Sequence, residues 1–171
     1  MALTGCVERP DLGTTSNSGA VTEFAAPVPV GAFSGTTTDG GTFDSNDYRG
    51  RVLVVNIWYV NCPPCRREAP DLKALAEHFV DDGVQFIGIN TRDSAATARS
   101  FEDAFGIGYP SILDARSGAA QLELSRSDTV APNATPTTLV IDRRGRVTAR
   151  ILGQVPDRSI LQSLVESALR P

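Results

Sequence analysis

Cys62 and Cys65 are the residues whose type and spacing promise chemistry: two thiols separated only by Pro63 and Pro64. They follow Val52 to Trp58, a nearly continuous apolar and β-branched run, the pattern of a strand covered on both faces. A helix is predicted to begin at or just after Cys62. Pro63 suits its first position, because its fixed φ fits a helix and an N–H there would be unpaired anyway. Cys62 then caps the helix, where the positive end of the helix dipole favours a thiolate. Thiols so placed ionise at about pH 3.5–7.5. Cys65 lies one turn further along the same face and can close a disulfide with Cys62. One sulfur attacks and the other resolves. The prolines also remove the N–H donors of positions 63 and 64, leaving the Cys65 amide as the main local donor to a Cys62 thiolate. A reduced form with few donors is poorly stabilised, which pushes the pair toward the reducing side.

Other uses of a cysteine pair fit less well. The third cysteine is Cys6 and the only histidine is His78, too little to complete the roughly four ligands of a zinc site. Haem attachment needs a histidine directly after the second cysteine, and that position is Arg66. A purely structural disulfide over three residues closes a negligible loop and is a poor staple. No metal and no cofactor beyond the Cys62–Cys65 redox pair is expected. Composition narrows the field further. The chain has 171 residues, enough for one domain with an extension, with 41% hydrophobic and 21% charged residues, so a packed core is expected. Its net charge is −4 with no Lys/Arg block, which leaves nucleic-acid binding no electrostatic footing. No apolar run of about 18 residues is present to span a bilayer.

The elements that must position the pair are legible in outline. Short strands are predicted at Val28 to Phe33 and Gly41 to Phe43, either side of a turn-rich Thr36–Gly41 segment, and a longer one at Val84 to Ile89. Leu72, Leu75, Ala76 and Phe79 recur at helical spacing before Gly83 closes that helix. A second helix fits Ala95 to Phe105, with Phe101 and Phe105 one turn apart. Strands at Thr138 to Ile141 and Arg146 to Leu152 flank the turn Asp142-Arg143-Arg144-Gly145. A last helix fits Asp157 to Leu169, led by Pro156. Strand-helix-strand first, then an antiparallel hairpin and a helix, gives an α/β layered fold.

The front of the chain reads differently. Leu3-Thr4-Gly5-Cys6 resembles a bacterial lipobox, in which the cysteine becomes the lipidated N-terminus, although the usual basic and apolar lead is replaced by Met1-Ala2 alone. Val7 to about Ala26 is rich in Gly, Thr, Ser, Asn and Pro without sustained periodicity, so residues 1–26 are expected to form a tether and 27–171 the folded domain. About 20 flexible residues span on the order of 25 Å, enough to hold a head just clear of a membrane surface.

Trp58, Cys62-Pro63-Pro64-Cys65, Pro70 and Thr135-Pro136-Thr137-Thr138 together resemble the thioredoxin fold, and within it the TlpA/ResA-like extracytoplasmic thiol-disulfide oxidoreductases. The resemblance covers roughly Thr42 to Leu169. It implies a thioredoxin-like three-layer sandwich: a central mixed sheet flanked by helices, with an N-terminal β-hairpin extension and a strand-helix insert between the segments ending at Asn90 and starting at Tyr109. Asn56 stands where cytoplasmic thioredoxins carry a buried Asp, and Glu68 follows Cys65 by three residues as in the ResA group. Asn61 departs from the Trp usual before the first cysteine.

From the resemblance, Cys62 attacks a client disulfide, Cys65 resolves it, and Glu68, if buried rather than solvated, takes the Cys65 proton with its pKa raised toward neutral. Pro136 is expected in cis after Thr135, the two binding the extended client backbone, with Trp58 contributing to docking. The implied protein is a monomer anchored through lipid on Cys6 to the outside of a bacterial, Gram-positive membrane. Its partners would be protein thiols and disulfides, apocytochrome c included, and a membrane thiol-reducing electron donor. Two alternatives stay open: an envelope oxidase that introduces disulfides, and a non-enzymatic lipoprotein with a vestigial site.

Overall fold

The computed structural model describes residues 20–130 and 134–170. A six-stranded mixed sheet in the order β1-β8-β7-β4-β5-β6 forms its centre. The strands are β1 Ala20–Pro29, β4 Leu53–Trp58, β5 Gln85–Asn90, β6 Ser111–Leu113, β7 Thr137–Ile141 and β8 Arg146–Leu152. β4, β5 and β6 run parallel, whereas β7, β8 and β1 alternate in direction beside them. A separate two-stranded ribbon of β2 Ser34–Thr36 and β3 Thr42–Asp44 abuts β6 through a Thr37–Ile112 bridge. The helices are α1 Pro63–His78, α2 Ala95–Phe105, α3 Ala119–Ser125 and α4 Arg158–Leu169.

Period-two alternation along β4 explains the layers. Leu53, Val55 and Ile57 join Ile87, Ile89, Leu139, Phe33 and the α3 residue Leu124 in a core on one side of the sheet. Val52 and Val54 face the other way, against Leu72, Leu75 and Phe79 of α1 and Leu161, Leu164 and Val165 of α4. Asn56 and Trp58 share the second parity and therefore point at the α1 side. Each fully buried Leu or Ile of these clusters contributes about 1.5–3 kcal/mol. This is the mixed sheet flanked by helices on both faces that the resemblance implies, hairpin included.

Two boundaries differ from the sequence expectation. Strand β1 begins inside the segment expected as a tether, residues 1–26: Ala20 already pairs with Leu152, and the strand continues to Pro29 opposite Arg146. Its alternation is weak because an edge strand is held by backbone ladder bonds, with only Phe24 lending its side chain to the core. The strand expected at Val28 to Phe33 is correspondingly split. Val28 belongs to β1, Val30 and Phe33 are core residues in the connection, and the hairpin strand begins at Ser34. The Leu3-Thr4-Gly5-Cys6 segment lies outside the described residues. Helix α3 has no counterpart in the sequence reading. It is short, and its N-cap is Gly118 in the left-handed region, with its first amides capped from outside the helix by Asp114 and Ser117, so little in its own sequence marks it. Among the described residues no helix is long and apolar enough to cross a membrane.

Candidate active site

The C-terminal end of β4 delivers the cysteines. Beyond Trp58 the chain crosses a short loop pinned by Asp93, whose Oδ2 accepts the Val60 amide at 2.8 Å and the Asn90 side chain at 2.9 Å. Cys62 is extended, at φ −92° and ψ 106°, and caps α1, with Pro63 and Pro64 filling the first helical positions. Its Sγ accepts the Cys65 amide at 3.2 Å, the one local donor that the two prolines leave. Cys62 and Cys65 are joined in a disulfide, with Cα atoms 5.2 Å apart. Both are nearly covered, 1% and 3% exposed.

Behind them stands Glu68, one turn further along α1 and fully buried. Oε1 accepts from Asn56 Nδ2 at 2.8 Å and Oε2 from the Val155 amide at 2.8 Å. Asn56 Nδ2 also reaches Thr138 Oγ1 at 3.1 Å. Burial pushes the Glu68 carboxyl up to about 7, against the pull of the two hydrogen bonds and with slight help from Asp71. A carboxyl that exchanges its proton near neutral pH, one helical turn from a thiol, is suited to general acid–base work.

Thr135–Pro136 is a cis peptide. Thr137 pairs with Ile57, so Pro136 lies beside the end of β4 from which the cysteine loop springs. Thr135 is half-exposed, Pro136 is buried, and the Pro136 carbonyl accepts from the Gly153 amide at 2.9 Å. Trp58, expected to contribute to docking, packs in one cluster with Cys62 and Cys65. It is 5% exposed, donates Nε1 to Ser111 Oγ at 3.2 Å and packs on Phe101 with centroids 4.7 Å apart. The ring is buried beneath the cysteines, with one flat face packed on α2.

Sequence reasoning assigns no role to Asp93, Glu102 or Ser111. Glu102 of α2 is 7% exposed and its Oε1 has no hydrogen-bond partner. Burial raises its carboxyl above the ordinary range, opposed by the Ser111 and Thr38 hydroxyls. The signal was available: Ala98, Phe101, Glu102 and Phe105 follow helical i, i+3, i+4, i+7 spacing, so Glu102 falls within an apolar stripe. Cations ring the outer surface instead. Arg66 lies over Phe101 and Phe105 at 5.6 and 5.3 Å, and Arg92 over Tyr59 at 4.2 Å. Among the described residues no cluster of His, Cys, Asp and Glu could hold a metal ion.

Comparison with known proteins agrees with this geometry. The Redoxin family matches residues 23–165. The thiol-disulfide oxidoreductase ResA of Geobacillus thermodenitrificans is 30% identical over 157 residues, 90% of this chain and 86% of that protein. A DsbF homologue from Corynebacterium diphtheriae superposes with a TM-score of 0.76 at 28% identity, over 92% of this chain and 98% of that one. A secreted thiol-disulfide isomerase from Corynebacterium glutamicum gives 0.74 at 26% identity, over 91% and 98%.

Proposed function

The chain belongs to the Redoxin family and is a thiol-disulfide oxidoreductase, and from that premise we propose the following division of labour. Cys62 attacks a sulfur of a client disulfide, forming a mixed disulfide and expelling one client thiolate. Cys65 loses its proton to Glu68 and attacks Cys62 Sγ. The second client thiolate leaves with the electron pair, the client is reduced and Cys62–Cys65 is oxidised. A protein thiol donor at the membrane returns two electrons for the next cycle. Thr135 and Pro136 hold the client backbone beside the cysteines. The observation that carries this reading is the capped sulfur: Cys62 Sγ sits at the N-terminus of α1 against the Cys65 amide, where the helix dipole favours a thiolate.

The reaction runs in the reducing direction on this reading, because only one local amide stabilises the Cys62 thiolate. The setting is extracytoplasmic, supported by the secreted relative, with Cys6 as the lipid attachment point, the tether ending at Ala20 and the folded domain beginning there. Clients are envelope proteins carrying cysteine pairs, apocytochrome c among them. Mixed-disulfide trapping tests the assignment. A Cys65→Ser chain should accumulate covalent client adducts, and a Cys62→Ser chain should accumulate none; adducts on Cys62→Ser alone would reverse the roles. A reduction potential as oxidising as about −120 mV would overturn the direction.

A further inference from the structure

Glu68 has a neighbour that the cycle above does not use. A cavity of about 10 Å³ sits against Cys65, its walls including Asn56, Trp58, Tyr109, Ser111 and Glu102. That volume is enough for about one water molecule, and a water there needs two to four polar partners. Glu102 Oε1, buried and unpartnered, with Ser111 and Asn56 on the same walls, supplies them. Glu68 does not line this space. Both of its oxygens are already occupied, by Asn56 and Val155.

We propose that Glu102 is a second proton acceptor for Cys65, working through a single water held in the cavity that the two side chains share. This rests on the assignment of Cys65 as the resolving thiol. In the mixed disulfide the Cys65 S–H bond breaks as its proton passes to the water. The water's own proton passes to Glu102 Oε1. The thiolate then forms the S–S bond to Cys62 while the Cys62–client bond breaks and the client sulfur departs with the electron pair. Glu102 afterwards returns its proton by the same route to the departing thiolate or to solvent, so no further reductant or oxidant is needed.

The charges around Glu102 are few. Glu68 stands behind Asn56 on α1, and Arg66 of α1 caps the Phe101 and Phe105 rings. Arg99 and Asp103 flank Glu102 on α2 with opposite effects on its carboxyl. The phenol of Tyr109 is kept protonated first by its desolvation and then by the nearby Glu68 and Glu102 carboxylates. A neutral carboxyl is thus accessible to Glu102, and with it a proton-transfer cycle.

Glu102→Gln keeps the size and removes the titration. In single-turnover resolution of a preformed mixed disulfide, the variant should be about 10-fold slow near neutral pH, less than the roughly 10²–10⁴-fold of a sole general base because Glu68 remains. The deficit should vanish as pH passes about 8.5, where a thiol ionises unaided. A deficit equal at every pH, or none, overturns the inference. Should Glu102→Gln not fold, the Glu102 carboxyl can be followed by carbon chemical shift in otherwise unaltered reduced protein and in Cys65→Ser. The midpoint should differ between the two, and coincident midpoints overturn the inference. Failure of the underlying assignment looks different, since the unaltered chain would then show no resolution step at all.

Discussion

Glu68 of α1 and Val155, in the connection ahead of α4, are 87 residues apart in sequence and meet in a 2.8 Å hydrogen bond from the Val155 amide to Oε2. The bond ties the redox helix to the C-terminal part of the fold through a carboxylate with no exposure to water. The group proposed to manage the proton is thus also a structural tie, and its ionisation should be felt by the whole molecule.

The Glu68 pKa is about 7 in the folded protein against an ordinary 4.5. The folded chain therefore holds a proton between those values that the unfolded chain has released. Stability is highest below about 4.5 and falls as pH rises through 7, by about 3 kcal/mol in all. Urea unfolding at a series of pH values should show this slope in the oxidised protein, and Glu68→Gln should flatten it.

Asn56 donates to the ionised form of Glu68 and so holds its pKa down. Asn56→Leu removes the donor and should move the Glu68 midpoint above 7. The carboxyl carbon shift read against pH checks it, and a midpoint that stays or falls would mean that Asn56 only fills space.

Gly88 of β5 passes directly under the Trp58–Ser111 pair. A methyl group there would stand 2.7 Å from Trp58 Nε1 and collide with the Ser111 hydroxyl. Both neighbours are buried side chains in a packed strand layer, so Gly88→Ala should cost about 1–3 kcal/mol. The midpoint of denaturant unfolding measures the loss.

Trp58→Phe deletes the Nε1 donor and leaves the Ser111 oxygen unpaired. About 1–3 kcal/mol of stability should go with it, while KM for a protein client stays unchanged because the ring never reaches the surface. A raised KM without loss of stability would return Trp58 to the docking surface.

Most of the fold was legible because its elements carry strong local signals. β4 is an unbroken β-branched run, α1 has Cys62 and two prolines at its head with Leu72, Leu75 and Phe79 on one stripe, and the β7–β8 turn is written in Asp142 to Gly145. Asn56 and Glu68 were legible as a pair only through family resemblance; their hydrogen bond depends on strand parity and helix phase together. β1 was hidden because its partner, β8, lies over a hundred residues away and Ala25-Ala26-Pro27 has no alternation to show. Glu102 was hidden by its charge: a carboxylate reads as surface until its place between Phe101 and Phe105 is weighed.

Removal of β1 checks where the folded part begins. A chain starting at Ala20 should keep its unfolding midpoint, whereas one starting at Val30 exposes the edge of β8. Open edges invite pairing with another copy, so the shorter chain should unfold earlier and self-associate on a sizing column. Equal behaviour of the two would restore the longer tether.

Ala20 pairs with Leu152, and Leu152 pairs with Thr137, the neighbour of Pro136. The polypeptide thus enters the sheet at the same rim from which the cysteines emerge, three strand spacings or about 14 Å away. Under the proposed Cys6 anchor, the chain ahead of Ala20 would turn that rim toward the lipid. Thiol donors held at the membrane would then meet the sulfurs head-on, while bulky proteins arriving from open solvent would have to slip in sideways.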